Sequence, residues 1–108
     1  MSAPPCVLVT GSSRGLGRGI AEQLAEQGFS VAIHYAANRT AAEETAARCR
    51  EKATLDAQQF PLVGGNVGNA ADRQRMLEET LAALGHLDAL VNNAGVAPKA
   101  ANVSSNIR

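Results

Sequence analysis

Four short apolar runs alternate with three longer segments of helical periodicity, and this alternation constrains the fold more than any other feature. The runs are too short for helices and are predicted to be strands, at residues 6–9, 29–35, 60–63 and 87–91. Strands that alternate with helices through short loops favour a parallel sheet, and right-handed crossovers favour a doubly wound arrangement. The sequence therefore predicts an α/β fold, a Rossmann-type doubly wound parallel sheet of about four strands in the order 3-2-1-4.

The helical segments carry their own start and stop signals. In the first, apolar residues recur every four positions, at Leu16, Ile20 and Leu24. This helix is predicted to end at Gly28. Thr40 and Glu43 are predicted to open the second helix as a capping box. Asn69 is predicted to begin the third helix and Gly85 to end it.

Length and composition exclude several classes of protein. The 108 residues correspond to one domain, divided here into a dinucleotide-binding half domain (residues 1–96) and an irregular tail (residues 97–108). Basic and acidic residues number 10 each and aromatic residues make up 3%, so no nucleic-acid partner is expected. Cys6 and Cys49 are too few and too distant for a disulfide framework or a zinc site, so no metal is predicted and both should be buried. With neither a signal peptide nor a membrane-length apolar run, we expect a cytoplasmic protein.

A glycine-rich loop, residues 10–17, follows the first predicted strand and reads Thr-Gly-Ser-Ser-Arg-Gly-Leu-Gly. It matches neither the GxGxxG fingerprint nor a P-loop, yet it has the physical features of a phosphate cradle. Glycine permits a tight turn and close approach of backbone to a pyrophosphate, and the following helix directs free N–H groups there. An ordinary glycine-rich turn is the alternative. The predicted cofactor contacts are Gly11, Ser12, Ser13, Arg14, Gly15, Leu16 and Gly17.

A second unusual loop, Asn-Asn-Ala-Gly at residues 92–95, follows the fourth predicted strand. Alone, it could be an ordinary turn, since Asn and Gly dominate turns. In the predicted strand order, however, it lies beside the glycine loop at the carboxyl ends of strands one and four. That is where the strand order reverses and where such sheets bind ligands.

Together the two loops resemble the short-chain dehydrogenase/reductase family, and within it the 3-oxoacyl-carrier-protein reductase-like branch, over about residues 6–96. The resemblance implies that the glycine loop binds the pyrophosphate and the adenosine ribose. It places Asn93, Ala94 and Gly95 beside the adenine-side ribose. The family often has Asp-Val after strand three, where the Asp holds the adenine amino group. This chain has Asn66 and Val67 there, and the amide oxygen of Asn66 can still accept that hydrogen bond.

Cofactor choice depends on the end of the second strand, where an NAD site places an acidic residue. Residues 34–39 contain none, whereas Arg14 and Arg39 could each bind a 2′-phosphate. Tyr35 and Arg39 are assigned to the adenosine end, and NADP is predicted over NAD. The alternative is that both arginines are solvated surface charges, and it applies more to Arg39.

The resemblance also implies catalysis by a Tyr, a Lys four residues later and a Ser, which lie beyond the fourth strand in the family. The only Tyr here, Tyr35, is followed by Arg39 at that interval, and neither His34 nor His86 has a catalytic pattern. Ser105, in Asn-Val-Ser-Ser, could be a remnant of the catalytic Ser, although an irregular tail is the preferred interpretation. No catalytic residue is therefore predicted, and the chain alone is expected to be inactive.

The leading hypothesis is the NADP(H)-binding part of an oxidoreductase that reduces a 3-oxoacyl thioester or another ketone, or oxidises the alcohol. The alternatives are a non-catalytic dinucleotide-binding module or sensor and, less favoured, a methyltransferase that binds S-adenosylmethionine. Residues 87–91 should form an exposed edge of the sheet, through which the chain could associate with itself.

Overall fold

The structure, a computed structural model, describes residues 3–93 and the backbone of residues 102–105. Its strands are β1 (Cys6–Val9), β2 (Ser30–Tyr35), β3 (Leu62–Gly64), β4 (Ala89–Asn92) and β5 (Asn102–Ser105). Its helices are α1 (Gly15–Glu26), α2 (Arg39–Lys52) and α3 (Ala70–Leu84). The strands form a single sheet in the order β3-β2-β1-β4-β5. Strands β1 to β4 are parallel, so the predicted doubly wound α/β fold with order 3-2-1-4 is confirmed.

The fifth strand corrects two expectations about the end of the chain. β5 runs antiparallel to β4, with Ala89 opposite Ser105 and Asn92 opposite Asn102. The edge of β4 is therefore covered, because the backbone groups of β5 pair with its otherwise unpaired N–H and C=O groups. The predicted exposure of that edge was wrong, and self-association through it loses its basis. The description of residues 97–108 as irregular was likewise wrong for residues 102–105.

Strand bounds differ from the predictions by one or two residues. β3 begins at Leu62, not at residue 60. The reason is that Pro61 has no N–H to donate, although its carbonyl oxygen accepts a hydrogen bond from the backbone N–H of Ile33. β4 begins at Ala89, and the backbone N–H of Asp88 just before it donates to the carbonyl oxygen of Cys6 in β1.

Three of the predicted helix ends are confirmed. Gly28 follows Gln27, the C-cap residue of α1, with φ +96°, and Gly85 ends α3 in the left-handed conformation with φ +88°. The side chain of Asn69 accepts a hydrogen bond from the backbone N–H of Asp72 at 2.9 Å and so begins α3. These signals are local, so neighbouring residues are enough to specify them.

The capping box predicted for α2 was wrong. Asn38 caps this helix, its Oδ1 accepting from the backbone N–H of Ala41 at 3.0 Å, and helical residues begin at Arg39. Thr40 therefore lies inside the first turn, one residue beyond the start. Asn and Thr are both competent caps, and the loop from β2 places Asn38 at the entry point.

The sheet has an apolar core on each face. Helices α1 and α2 pack together over one face, where the buried residues include Val7, Val9, Ala21, Ile33, Cys49 and Phe60. Helix α3 covers the other face, where the buried residues are Leu8, Ala32, Val63, Met76 and Leu87. Cys6 and Cys49 are buried free thiols, as predicted. Of the helices in the described ranges, none has the length and apolar character needed to cross a membrane.

Candidate functional site

The glycine loop turns directly from β1 into α1. Gly11 and Gly15 have φ values of +67° and +62°, a region that L side chains rarely adopt. These two positions allow the chain to leave the strand and reverse into the helix within a few residues. The side chains of Arg14 and Leu16 are exposed, and Leu16 retains 58% of its accessible surface. Leu16 therefore does not continue the buried stripe of α1 that its spacing suggested. It lies on the outer side of the loop.

The two unusual loops are in contact, as the strand order predicted. The backbone N–H of Asn93 donates to Thr10 Oγ1 at 2.8 Å, and Asn93 Nδ2 lies 3.5 Å from the carbonyl oxygen of Gly11. A Cβ atom on Gly17 would overlap the Gly11 carbonyl and fall 2.8 Å from Asn93 Nδ2. Gly17 is thus needed for the close approach of α1 to both loops. Ala94 and Gly95 lie outside the described residues.

The N-terminus of α1 is uncapped and has open space in front of it. Its cap residue, Arg14, makes no side-chain capping hydrogen bond, and the first turn holds no acidic residue. The first N–H groups of a helix have no partner within the helix, and its dipole adds positive potential there. A Cβ atom on Gly15 would meet nothing within 4 Å, so the space in front of this turn is open. A pyrophosphate fits this arrangement of donors and space.

Ser12 supports the loop from inside. It is fully buried, its Oγ donates to the carbonyl oxygen of Val9 at 2.7 Å, and it accepts from the backbone N–H of His34 at 2.9 Å. Both hydrogen bonds connect the loop to the ends of β1 and β2. The predicted contact of Ser12 with a cofactor would therefore come from its backbone, since its hydroxyl is turned into the protein.

His34 is a buried residue of the site that sequence reasoning missed. Its side chain is 1% exposed, and its Nδ1 accepts from the backbone N–H of Gly11 at 2.8 Å. The other ring nitrogen, Nε2, then carries the hydrogen and donates to the carbonyl oxygen of Gly65 at 2.8 Å. Burial lowers the pKa of His34, which favours this neutral form. The ring therefore connects the glycine loop to the end of β3.

Arg18 is a second missed residue, and it connects the loop to α2. Its Nη2 donates to the carbonyl oxygen of Ser13 at 2.8 Å, and its Nε donates to Thr45 Oγ1 at 2.8 Å. The hydroxyl of Thr45 itself donates to the same Ser13 carbonyl at 3.0 Å. An ion pair with Glu44 at 3.4 Å completes the arrangement. A basic residue on a helix reads as surface charge in the sequence, and only the fold reveals this connection.

Tyr35 and Arg39 meet at the carboxyl end of β2. Arg39 Nη1 donates to the Tyr35 hydroxyl at 3.1 Å, and its guanidinium lies 6.0 Å from the centre of the Tyr35 ring. Arg39 also pairs with Glu43 at 3.5 Å, with 61% of its side chain exposed. The ring lies against Gly64, where a Cβ atom would fall 2.7 Å from Tyr35 Cζ. Arg39 is thus an exposed cation at the start of α2, oriented by the Tyr35 side chain and by Glu43.

Asn66 and Val67 follow β3 in an exposed turn. Asn66 Oδ1 accepts from the backbone N–H of Gly68 at 2.8 Å, and the backbone N–H of Asn66 donates to Asp72 Oδ2 at 2.8 Å. The amide oxygen predicted to bind an adenine amino group already has this backbone donor, leaving one lone pair free. Val67 lies at a cavity of about 500 Å³ whose wall also includes Thr10, Met76, Leu90 and Asn92.

Comparison with known proteins shows which family this chain is similar to. The family of short chain dehydrogenases matches residues 5–107. The chain is 41% identical over 96 residues to a 3-oxoacyl-(acyl-carrier-protein) reductase FabG of Staphylococcus aureus, covering 89% of this chain and 37% of that protein. It is 39% identical over 90 residues to an L-2,3-butanediol dehydrogenase of Corynebacterium glutamicum, covering 83% of this chain and 34% of that protein.

Solved structures agree. A putative short-chain dehydrogenase/reductase from Burkholderia xenovorans superposes with a TM-score of 0.79 at 32% identity, over 89% of this chain and 38% of that one. A putative dehydrogenase from Burkholderia cenocepacia with bound NADP gives a TM-score of 0.74 at 32% identity, over 83% and 34%. The chain spans 34–37% of the curated relatives named above. Because the family matches residues 5–107 and these relatives are similar in sequence and structure, the chain belongs to the short chain dehydrogenases, the family that its two loops resemble.

Proposed function

We propose that this chain is the NADP(H)-binding part of an oxidoreductase that reduces a carbonyl, in a 3-oxoacyl thioester or another ketone, or oxidises the corresponding alcohol. The observation that carries the proposal is the glycine loop. Its two positive-φ glycines, its open front and the uncapped N-terminus of α1 form an anion-binding turn at the point where the strand order reverses.

The described residues fit a nicotinamide dinucleotide, which supplies the hydride when bound. The backbone N–H groups at the start of α1 would hold the pyrophosphate. Asn93 would lie beside the adenine-side ribose, and Asn66 and Val67 beside the adenine. His34 and Arg18 would act indirectly, by holding the loop in place. His34 fixes the backbone N–H of Gly11, and Arg18 fixes the carbonyl oxygen of Ser13. The role of this part of the chain is to bind and orient the cofactor.

A preference for NADP over NAD follows from the charges beside β2. Residues 34–39 contain no carboxylate to bond the ribose hydroxyls, whereas Arg39 is oriented there by Tyr35. Arg14 adds an exposed cation within the loop. The guanidinium group binds phosphate through two parallel N–H donors, so either side chain suits a 2′-phosphate. The relative from Burkholderia cenocepacia, which has bound NADP, agrees with this preference.

Titration of the purified chain with NADPH and with NADH tests the proposal. We expect tighter binding of NADPH. Arg14→Ala or Arg39→Ala should cost about 1–3 kcal/mol with NADPH, roughly 5- to 150-fold in Kd, with little effect on NADH. Arg48→Ala is the matched control, because Arg48 is an exposed arginine of α2 paired with Glu44. Equal affinities for both cofactors would contradict the NADP preference, and no binding of either would contradict the proposed function.

The reaction itself requires groups that these 108 residues lack. The sequence contains no Tyr-x-x-x-Lys, so no pair of that kind can donate a proton to a carbonyl oxygen. Positioned general acids contribute about 10²–10⁴-fold to a rate. We therefore expect this chain to bind NADPH without oxidising it when 3-oxoacyl thioesters and ketones are supplied. Turnover above the uncatalysed rate would show that another residue acts as the acid.

A further inference from the structure

The end of the sheet opposite the glycine loop, where β1 begins, brings together three side chains with metal-binding atoms. Cys6 begins β1, and His86 and Asp88 lie in the segment that leads into β4. One ligand atom from each, the Cys sulfur, an imidazole nitrogen and a carboxylate oxygen, lies within 4.8 Å of the other two. Within residues 3–93, no second group of three His, Cys, Asp or Glu side chains comes this close. Because some eighty positions separate Cys6 from His86 and Asp88, no spacing motif in the sequence predicts the cluster.

We propose that Cys6, His86 and Asp88 bind a divalent transition-metal ion of the zinc class. Thiolate, imidazole and carboxylate are the protein ligands that zinc uses, at about 2.3, 2.0–2.1 and 2.0–2.2 Å respectively. Donors around one tetrahedral ion therefore lie roughly 3–4 Å apart. His86 Nε2 and Asp88 Oδ2 are 3.0 Å apart, and the full set is within 4.8 Å, so small side-chain rotations suffice.

Two of the three ligands are already held against each other by the backbone. The N–H of Cys6 donates to Asp88 Oδ2 at 2.8 Å, and the N–H of Asp88 donates to the carbonyl oxygen of Cys6 at 2.8 Å. Hydrogen bonds of this kind orient ligating carboxylates in metal sites. Asp88 Oδ2, the oxygen that lies beside His86, has a second lone pair with which it can bind the ion while it keeps its backbone donor. The pairing of β1 with β4 thus pre-positions the site.

The ion has a route to the sulfur. The side chains of His86 and Asp88 are 44% and 47% exposed, whereas Cys6 is 3% exposed. A cavity of about 230 Å³ is lined by Cys6 and His86 together with Pro4, Ser30 and Leu84. Binding would release the thiol proton to solvent and take the neutral imidazole with its hydrogen on Nδ1, so that Nε2 exchanges its contact with Asp88 for a bond to the ion. The ion then has one bond to each of the three ligands and a fourth position for water. No electron transfer is involved.

Titration of the tag-free, reduced chain with Co²⁺ and Zn²⁺ tests the proposal. Co²⁺ reports a sulfur ligand through a thiolate-to-cobalt charge-transfer band in the near ultraviolet, and calorimetry gives the Kd for Zn²⁺. We expect the band in the unmodified chain, its loss in Cys6→Ser, and at least about a tenfold weaker Zn²⁺ affinity in His86→Ala. Because His86 is exposed, that variant should fold, which far-ultraviolet circular dichroism would check.

Cys49→Ser is the matched control, since Cys49 is also a buried free thiol and belongs to no such cluster within the described residues. This variant should keep both the cobalt band and the Zn²⁺ affinity. The absence of a band in the unmodified chain, a band that persists in Cys6→Ser, or an unchanged Zn²⁺ affinity in folded His86→Ala would each overturn the proposal. Loss of the band in Cys49→Ser would also overturn it, because the sulfur ligand would then be the other cysteine.

Discussion

Replacing His34 by Asn or by Gln separates the two hydrogen bonds through which this ring connects the glycine loop to β3. The Oδ1 of Asn can occupy the position of Nδ1 and still accept from the backbone N–H of Gly11. The Nε2 of Gln can instead occupy the position of the ring Nε2 and donate to the carbonyl oxygen of Gly65. Each variant therefore keeps one of the two 2.8 Å contacts and loses the other.

Both variants should be less stable, by about 1–3 kcal/mol for each buried group left without its partner. Urea unfolding would measure this loss. They should differ in cofactor affinity, because only His34→Gln releases the N–H of Gly11, at the residue where the loop adopts φ +67°. We expect His34→Gln to weaken NADPH binding and His34→Asn to leave it close to that of the unmodified chain. Equal NADPH affinities for the two variants would refute the reasoning.

The same residue predicts a pH dependence of stability. Burial lowers the pKa of His34 in the folded chain, whereas an unfolded His titrates near about 6.5. Below that pH the unfolded state binds more protons, so the contribution is complete above about pH 6.5 and declines as the pH falls. Protonation would also place an N–H at Nδ1, facing the N–H of Gly11. His34→Asn should flatten urea-derived stability over about pH 5–7, and an unchanged slope would contradict the assignment.

Two further pairs of substitutions test the loop and a helix cap. Gly17→Ala should destabilise the chain by about 1–3 kcal/mol and weaken NADPH binding, because the new Cβ atom would overlap the backbone carbonyl of Gly11 and lie 2.8 Å from Asn93 Nδ2. Gly19→Ala on the same helix meets nothing within 4 Å and should stabilise it by about 0.5–1 kcal/mol, and similar effects in urea unfolding would contradict the packing argument. Asn38→Ala should cost about 0.5–2 kcal/mol as a cap, and Thr40→Ala clearly less; equal losses by thermal unfolding would restore the capping box.

Local signals made most of the fold predictable. The strand-helix alternation led directly to the order 3-2-1-4, and Asn69, Gly28 and Gly85 act only on their immediate neighbours. The choice of Asn38 over Thr40 was not predictable in this way. Both are good caps two positions apart, and the path of the chain from β2 decides between them. Pairing of β5 with β4 was not predictable either, because residue periodicity does not show which segments pair, even when only nine residues separate them.

The positions of the two loops of the site were predictable, whereas the side chains that hold the glycine loop in place were not. Glycine positions reveal where a loop must turn or be approached closely, so the contact between the two loops followed from the sequence. His34 appears in the sequence as one polar residue at the end of an apolar run, and Arg18 as one charge on a helix. Their functions lie in hydrogen bonds to Gly11 and Ser13 that depend on three-dimensional proximity. Such contacts leave no periodic pattern in a single sequence.

The position of β1 in the sheet has a consequence for how the chain opens. β1 is the middle of the five strands, with two neighbours on either side, and residues of it are buried in both cores. Amide hydrogens of such a strand exchange with solvent only through the rarest openings, whereas those of edge strands exchange through frequent local fraying. Fraying of β3 or β5 would therefore leave β1 paired. We therefore expect β1 to be the slowest-exchanging segment of the sheet. Because the glycine loop follows β1, the start of the loop should keep its geometry through motions that transiently detach β3 or β5.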